Sequence, residues 1–301
     1  LLSSCDTKVL EQERVSSSIR NQQTIEKSVE LVGKGLFTGA DMTMRFHPAP
    51  EGFGIRFKRI DLPNQPVIPA SIDYIIGTPR CTIIGRDGCV IQSVEHVLSA
   101  LKAFEIDNLL IELSGPEVPV GDGSAIAFVE LLRTVEKLKQ KGFVEPYAIT
   151  DPIYWSGNGV YLVALPSKEF RISYTLSYPN HPLINSQFYS YVFDSETYAE
   201  EIAPSRTFSL YEEILPLLEN GVIKGGSLEN GVVIRGKEVL NPGGLRFPDE
   251  MVRHKILDLI GDFSLIGTPI FAHIVAIRSG HYSNTCLAKE IADLIKKERK
   301  R

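Results

Sequence analysis

The sequence predicts an α+β fold of two related α/β halves, each a small sheet with helices, the helices packed between the two sheets. Three observations carry that reading. Short segments with partial period-2 alternation, such as DMTMRFHP and GFGIRFKRI, are separated by Gly and Pro and read as strands. Twice the period changes to that of a helix. In SVEHVLSALKAF, Val94, Val97, Leu98 and Leu101 fall at i, i+3, i+4 and i+7; in residues 249–266, Ile256, Leu259, Ile260 and Phe263 repeat the pattern. Finally, EHVLSAL (95–101) and RHKILDL (253–259) align without a gap, and each begins a helix-strand-helix series.

In chain order, residues 1–23 are polar and aperiodic and read as a flexible tail. The start, LLSSCDTK, faintly resembles a lipoprotein cleavage box, but no basic segment and no apolar stretch precedes it, so no signal peptide is expected. A first α/β domain (24–145) has strands in TIEKSVELV, DMTMRFHP, GFGIRFKRI, PASIDYII and CTIIG, a helix N-capped by Ser93, the strand NLLIEL and a helix from Ser124 to Lys139. Helix propensity collapses in KGFVEPYAITDP, which marks the junction. A second domain (146–301) repeats the plan. Its strands are GVYLVALP, FRISYTLSYP and QFYSYVF, with helices starting near Ser195 and Ser209. A long helix then stops at Gly-Thr-Pro, and the strand IFAHIVAIRS leads to a closing helix whose end, KKERKR, suits a helix C-terminus.

Composition narrows the function. A chain of 301 residues that is 43% hydrophobic and 23% charged can bury a core without disulfide or metal staples. The net charge of −5 argues against a nucleic-acid surface. The four cysteines, Cys5, Cys81, Cys89 and Cys286, form no CxxC pair and fit a reducing cytoplasm. No run of about 18 apolar residues is present, so membrane contact is expected to be peripheral at most.

The helix around residue 254 carries the chemistry. His254, Asp258 and Asp262 lie four residues apart and stack along one side. An imidazole and a carboxylate one turn apart can bind one cation, and the next carboxylate is placed to orient a neighbouring group. The blander alternative is an ion pair on a solvated face. His96, in the corresponding helix of the first half, follows Glu95. A lone histidine on such a helix is usually structural, but an adjacent carboxylate can take the proton of a water activated by zinc. No HExxH is present, which excludes the thermolysin-type helix. His281 sits where a strand passes into a helix, as an active group or a turn histidine; Asp262 could hold its ring.

Six motifs together, SVEHVLSAL, IDNLLIEL, VPVGDGSA, SRTFSL, GGLRFPDEMVRHKILDLIGD and SGHYSN, resemble the UDP-3-O-acyl-N-acetylglucosamine deacetylases of bacterial lipid A synthesis, from about Thr24 to about Glu290. The resemblance implies one catalytic Zn²⁺ on His96, His254 and Asp258, with Fe²⁺ able to take its place in the cell. It implies Glu95 as general base, His281 as general acid oriented by Asp262, Thr207 at the oxyanion and Lys255 beside the site. Phe208 would contact the acylated UDP-amino-sugar substrate, Tyr178 the uridine, and Ile223, Leu228 and Val233 in VIKGGSLENGVVI an acyl passage rather than an ordinary hairpin. A cytoplasmic monomer is expected. One departure stands out: GKGLFTG places Phe37 where the family usually has a histidine that is not a metal ligand. A zinc amidase or peptidase without an acyl passage, and a non-catalytic protein of the same fold, are the competing readings. The presence of Glu95, His281, Asp262 and Thr207 together speaks against the latter.

Overall fold

A computed structural model describes residues 19–300. Six α-helices occur among them: α1 (Glu95–Ala103), α2 (Ile126–Arg133), α3 (Ser195–Glu201), α4 (Tyr211–Glu219), α5 (Glu250–Ser264) and α6 (His281–Glu298). None is long and apolar enough to cross a membrane.

The two main sheets share one topology. The first runs Val29–Lys34, Asp41–Pro48, Leu109–Leu113, Ile55–Arg59, Val67–Pro69. The second runs Ile153–Gly157, Val160–Pro166, Ile270–Ile277, Phe170–Tyr178, Asn185–Val192. In each, the last strand in sequence inserts at the centre, antiparallel to the second strand and parallel to the third. Alternation sets the faces: Met42, Met44 and Phe46 point inward from one sheet, Ile172, Tyr174 and Leu176 from the other. These residues, apart from Met42, join the helices in one hydrophobic core. The α5 helix packs on strands Phe170–Tyr178 and Asn185–Val192 and crosses α1, while α6 covers Ile153–Gly157 and Val160–Pro166.

Gly261 makes the α1–α5 crossing close. A Cβ there would lie 2.0 Å from the Glu95 carbonyl oxygen, so only glycine lets the backbones meet at this separation. The crossing puts the start of α1, with Glu95 and His96, against the middle of α5. That juxtaposition builds the site.

Three expectations need correction. Residues 20–23, read as tail, belong to strand Arg20–Ile25, which pairs with Lys137–Val144; residues 1–18 lie outside the described residues. The helix expected to reach Lys139 stops at Arg133, because Lys137–Val144 takes its backbone hydrogen bonds from that distant strand. Ser93 is not the N-cap of α1: Val94 is, without a side-chain cap, and Ser93 has φ 61°.

Candidate metal centre and active site

The stripe on α5 is buried. His254 and Asp258 are each 2% exposed and Asp262 is 0% exposed, which removes the solvated ion-pair reading. Across the crossing, the His96 and His254 rings stand nearly perpendicular, with centroids 5.1 Å apart. Donor atoms of His96, His254 and Asp258 all lie within 4.8 Å of one another.

Hydrogen bonding tests whether this cluster suits a cation. His254 Nδ1 donates to the Ser205 carbonyl at 3.1 Å, which leaves Nε2 as a lone-pair donor. That atom faces Asp258 Oδ1 at 3.3 Å, and His96 Nε2 faces the same oxygen at 3.5 Å. Yet Asp258 Oδ1 is buried and has no hydrogen-bond partner. A buried carboxylate oxygen left unpaired between two imidazole nitrogens is costly unless a cation joins them. Burial pushes the His254 imidazole down to about 3, with Asp258 opposing, so it is neutral as a ligand must be. Burial would raise Asp258, but the cations Lys255 and His281 hold the carboxylate well below its usual range. Two nitrogens, one oxygen and room for a water suit a divalent transition metal. Lys255 Nζ donates to Asp258 Oδ2 at 2.9 Å.

Beside the cluster, His281 begins α6. Its Nδ1 donates to Asp262 Oδ2 at 3.0 Å, and its Nε2 lies 3.8 Å from Glu95 Oε1. Burial depresses this imidazole, yet Asp262, Asp258 and Glu95 outweigh burial and raise it to about 10, so the ring carries a proton at neutral pH. Burial raises the pKa of Glu95, against His281 and His96.

Two contributors escaped the sequence reading. Asn284 Nδ2 donates to Asp262 Oδ2 at 2.9 Å; its place three residues after His281, on the same helix face, was an available signal. Thr82 Oγ1 donates to Asp262 Oδ1 at 2.6 Å, and its N–H donates to Glu95 Oε2 at 3.0 Å. No local pattern marks Thr82, which reaches its partner across 180 positions.

The cluster opens into a cavity of about 880 Å³, within the range of ligand pockets and large enough for a nucleotide-sized ligand with an apolar extension. Thr207, Phe208, Tyr178, Leu228, Ile223 and Val233 all line it, so every expected substrate-contact residue faces one space. VPVGDGSA positions Thr207: the Gly123 carbonyl accepts from its N–H at 2.8 Å, and Gly123 has φ 84°. Phe208 makes T-shaped ring contacts with both Tyr178 and His254. Residues 222–231 carry no regular structure, and Val232–Arg235 pairs with Phe208–Leu210 and Glu238–Val239. Phe37 lies on the cavity wall outside the His/His/Asp cluster, its loop held by the buried Glu117, which accepts from the N–H groups of Phe37 and Thr38 at 2.9 and 3.0 Å.

Comparison with known proteins gives the family of the chain. Residues 22–293 match the sequence model of the UDP-3-O-acyl N-acetylglycosamine deacetylase family. A UDP-3-O-acyl-N-acetylglucosamine deacetylase of Chlamydia pneumoniae is 43% identical over 277 residues, 92% of this chain and 98% of that protein. Those of Chlamydia abortus and Chlamydia trachomatis serovar D are each 42% identical, over 276 residues (92% and 98%) and 279 residues (93% and 97%). The chain belongs to the UDP-3-O-acyl N-acetylglycosamine deacetylase family.

Proposed function

We propose that this protein hydrolyses the N-acetyl group of a UDP-3-O-acyl-N-acetylglucosamine, giving the free amine and acetate in the committed step of lipid A synthesis. Beyond family membership, one observation carries the reading: the unpaired Asp258 oxygen between two histidine nitrogens, with Glu95 and His281 at the same cavity.

His96, His254 and Asp258 would hold the metal, with zinc favoured by the nitrogen-nitrogen-oxygen donor set and iron able to substitute. Bound there, the ion supplies Lewis acidity to the acetamide carbonyl and to water. Glu95 Oε1 takes the proton of the attacking water. His281 Nε2 gives its proton to the departing amine, while Asp262 holds the ring by Nδ1. The Thr207 hydroxyl donates to the developing oxyanion, a contact worth ~2.7–4 kcal/mol of barrier in comparable sites. Lys255, Phe208 and Tyr178 contact the nucleotide sugar, and Ile223, Leu228 and Val233 the acyl chain. We place the protein in the cytoplasm as a monomer with at most peripheral membrane contact and no nucleic-acid partner. The free thiols of Cys81, Cys89 and Cys286 and the net charge of −5 support this reading.

Acetate release from the acylated UDP-sugar, before and after chelation and with zinc added back, tests the proposal. Activity that disappears with the metal and returns with zinc is expected. A metal-replete protein that leaves this substrate intact overturns it. His254→Ala and Asp258→Ala are both expected to lose zinc; full occupancy in both rules out the ligand set.

A further inference from the structure

Glu95 and Asp262 each commit one carboxylate oxygen to Thr82. The Thr82 N–H holds Glu95 Oε2, and its hydroxyl holds Asp262 Oδ1. Each carboxylate then turns its other oxygen to His281: Asp262 Oδ2 accepts from Nδ1 at 3.0 Å, and Glu95 Oε1 faces Nε2 at 3.8 Å. The four residues form a circuit closed everywhere except at that 3.8 Å gap, the place for reacting atoms. Thr82 is itself fixed. It is 0% exposed, and its carbonyl accepts from Val94 N–H at 3.4 Å, so it is tied to the start of α1 in both directions.

We infer that Thr82 is a positioning residue that sets the separation between the base at Glu95 and the acid at His281. The reason is geometric. Glu95 rides on α1, Asp262 on α5 and His281 on α6, and Thr82 is the residue that bonds both carboxylates. Its hydroxyl supplies one of the three hydrogen bonds that orient Asp262, the others coming from His281 and Asn284. Without it, Asp262 can rotate about its remaining partners, and the imidazole it holds moves with it. The inference rests on the deacetylase reading for its catalytic consequence.

Thr82→Val separates positioning from space-filling. Valine keeps the shape and the N–H to Glu95 and removes only the donor to Asp262. The expected result is a kcat lower by about 10–100-fold, the size usual for groups that orient a reacting residue. KM and zinc content should be unchanged, and Thr82→Ser should restore most of the rate. In an Asp262→Ala background Thr82→Val should add little, because the acceptor for its hydroxyl is already gone. Equilibrium unfolding of the same four proteins reads that coupling independently of activity, and non-additive destabilisation is expected. A Thr82→Val enzyme with wild-type kcat, or an equal loss in both backgrounds, overturns the inference. Should Thr82→Val not fold, Thr82→Cys, a much weaker donor, takes its place with the same outcomes. A wild-type protein that releases no acetate would instead defeat the functional reading, and the unfolding cycle would still decide the role of Thr82.

Discussion

Replacing Gly261 by alanine sets two effects of opposite sign against each other, and the structure decides between them. On helix propensity alone, alanine within α5 should stabilise by ~0.8–1 kcal/mol. The new Cβ, however, would lie 2.0 Å from the Glu95 carbonyl oxygen, 2.6 Å from its carbon and 2.9 Å from its Cα. Restoring a 3.0 Å contact to that oxygen requires a shift of about 1 Å, and the obstacle is backbone rather than a flexible side-chain end. Overpacking of this kind costs ~1–3 kcal/mol, so the net change is a modest loss of stability. The rate should suffer more. The displaced residue is Glu95 itself, with His96 next to it, and an error of ~1 Å in placement costs ~10²-fold. Equilibrium unfolding, zinc content and acetate release on Gly261→Ala check both parts. A variant that gains about 1 kcal/mol in stability and keeps its full rate refutes the reasoning.

Gly123→Ala should lower kcat while zinc stays bound, because its Cβ would lie 2.3 Å from the Asn230 carbonyl and push on the turn that holds Thr207; metal analysis beside the rate shows this. Glu250 is buried against Arg206 at 2.8 Å. Burial raises its carboxyl, but Arg206 and the N–H groups of Arg246 and Arg206 outweigh it, leaving the folded pKa below the ordinary 4.5. Its stabilisation is therefore present above about 4.5 and lost as pH falls through the lower folded value; Tm against pH should show this increment in the wild type and not in Glu250→Gln. Lys102 adds a second rise at alkaline pH. Burial, with Arg20, lowers its pKa from 10.5 to about 8, so the folded state gains stability as pH rises from about 8 to 10.5. That gain should vanish from the Tm profile of Lys102→Met.

What the sequence discloses and what it hides divide along the range of the interactions. The His254, Asp258, Asp262 stripe is legible because helix periodicity is local. Whether that stripe faces water is not, since its burial comes from α1, a hundred and fifty residues earlier in the chain, crossing at Gly261. The repeated strand order was foreshadowed by the alignment of 95–101 with 253–259. The lysine-rich stretch after Arg133 misleads for the converse reason: its partner strand is over a hundred positions away, and pairing overrides propensity. Cavity-lining residues such as Phe208 and Leu228 come from the six-motif resemblance, whereas Thr82 bonds through one N–H and one O–H that no pattern announces.

The shared topology of the two sheets throws the asymmetry of the site into relief. Under the alignment of the halves, His96 and His254 occupy equivalent positions, so two identical copies of one half, crossed as α1 and α5 cross, would already bring a pair of imidazoles together. Nothing else in the centre is doubled. Asp258 has Ala100 as its counterpart, and Glu95 has Arg253, which turns away to pair with Asp249. A symmetric ancestor of this kind would possess a two-nitrogen metal foothold and no acid or base. In the proposed mechanism one half supplies the carboxylate ligand and the other the proton acceptor, so neither half can be returned to its twin's sequence without dismantling the chemistry.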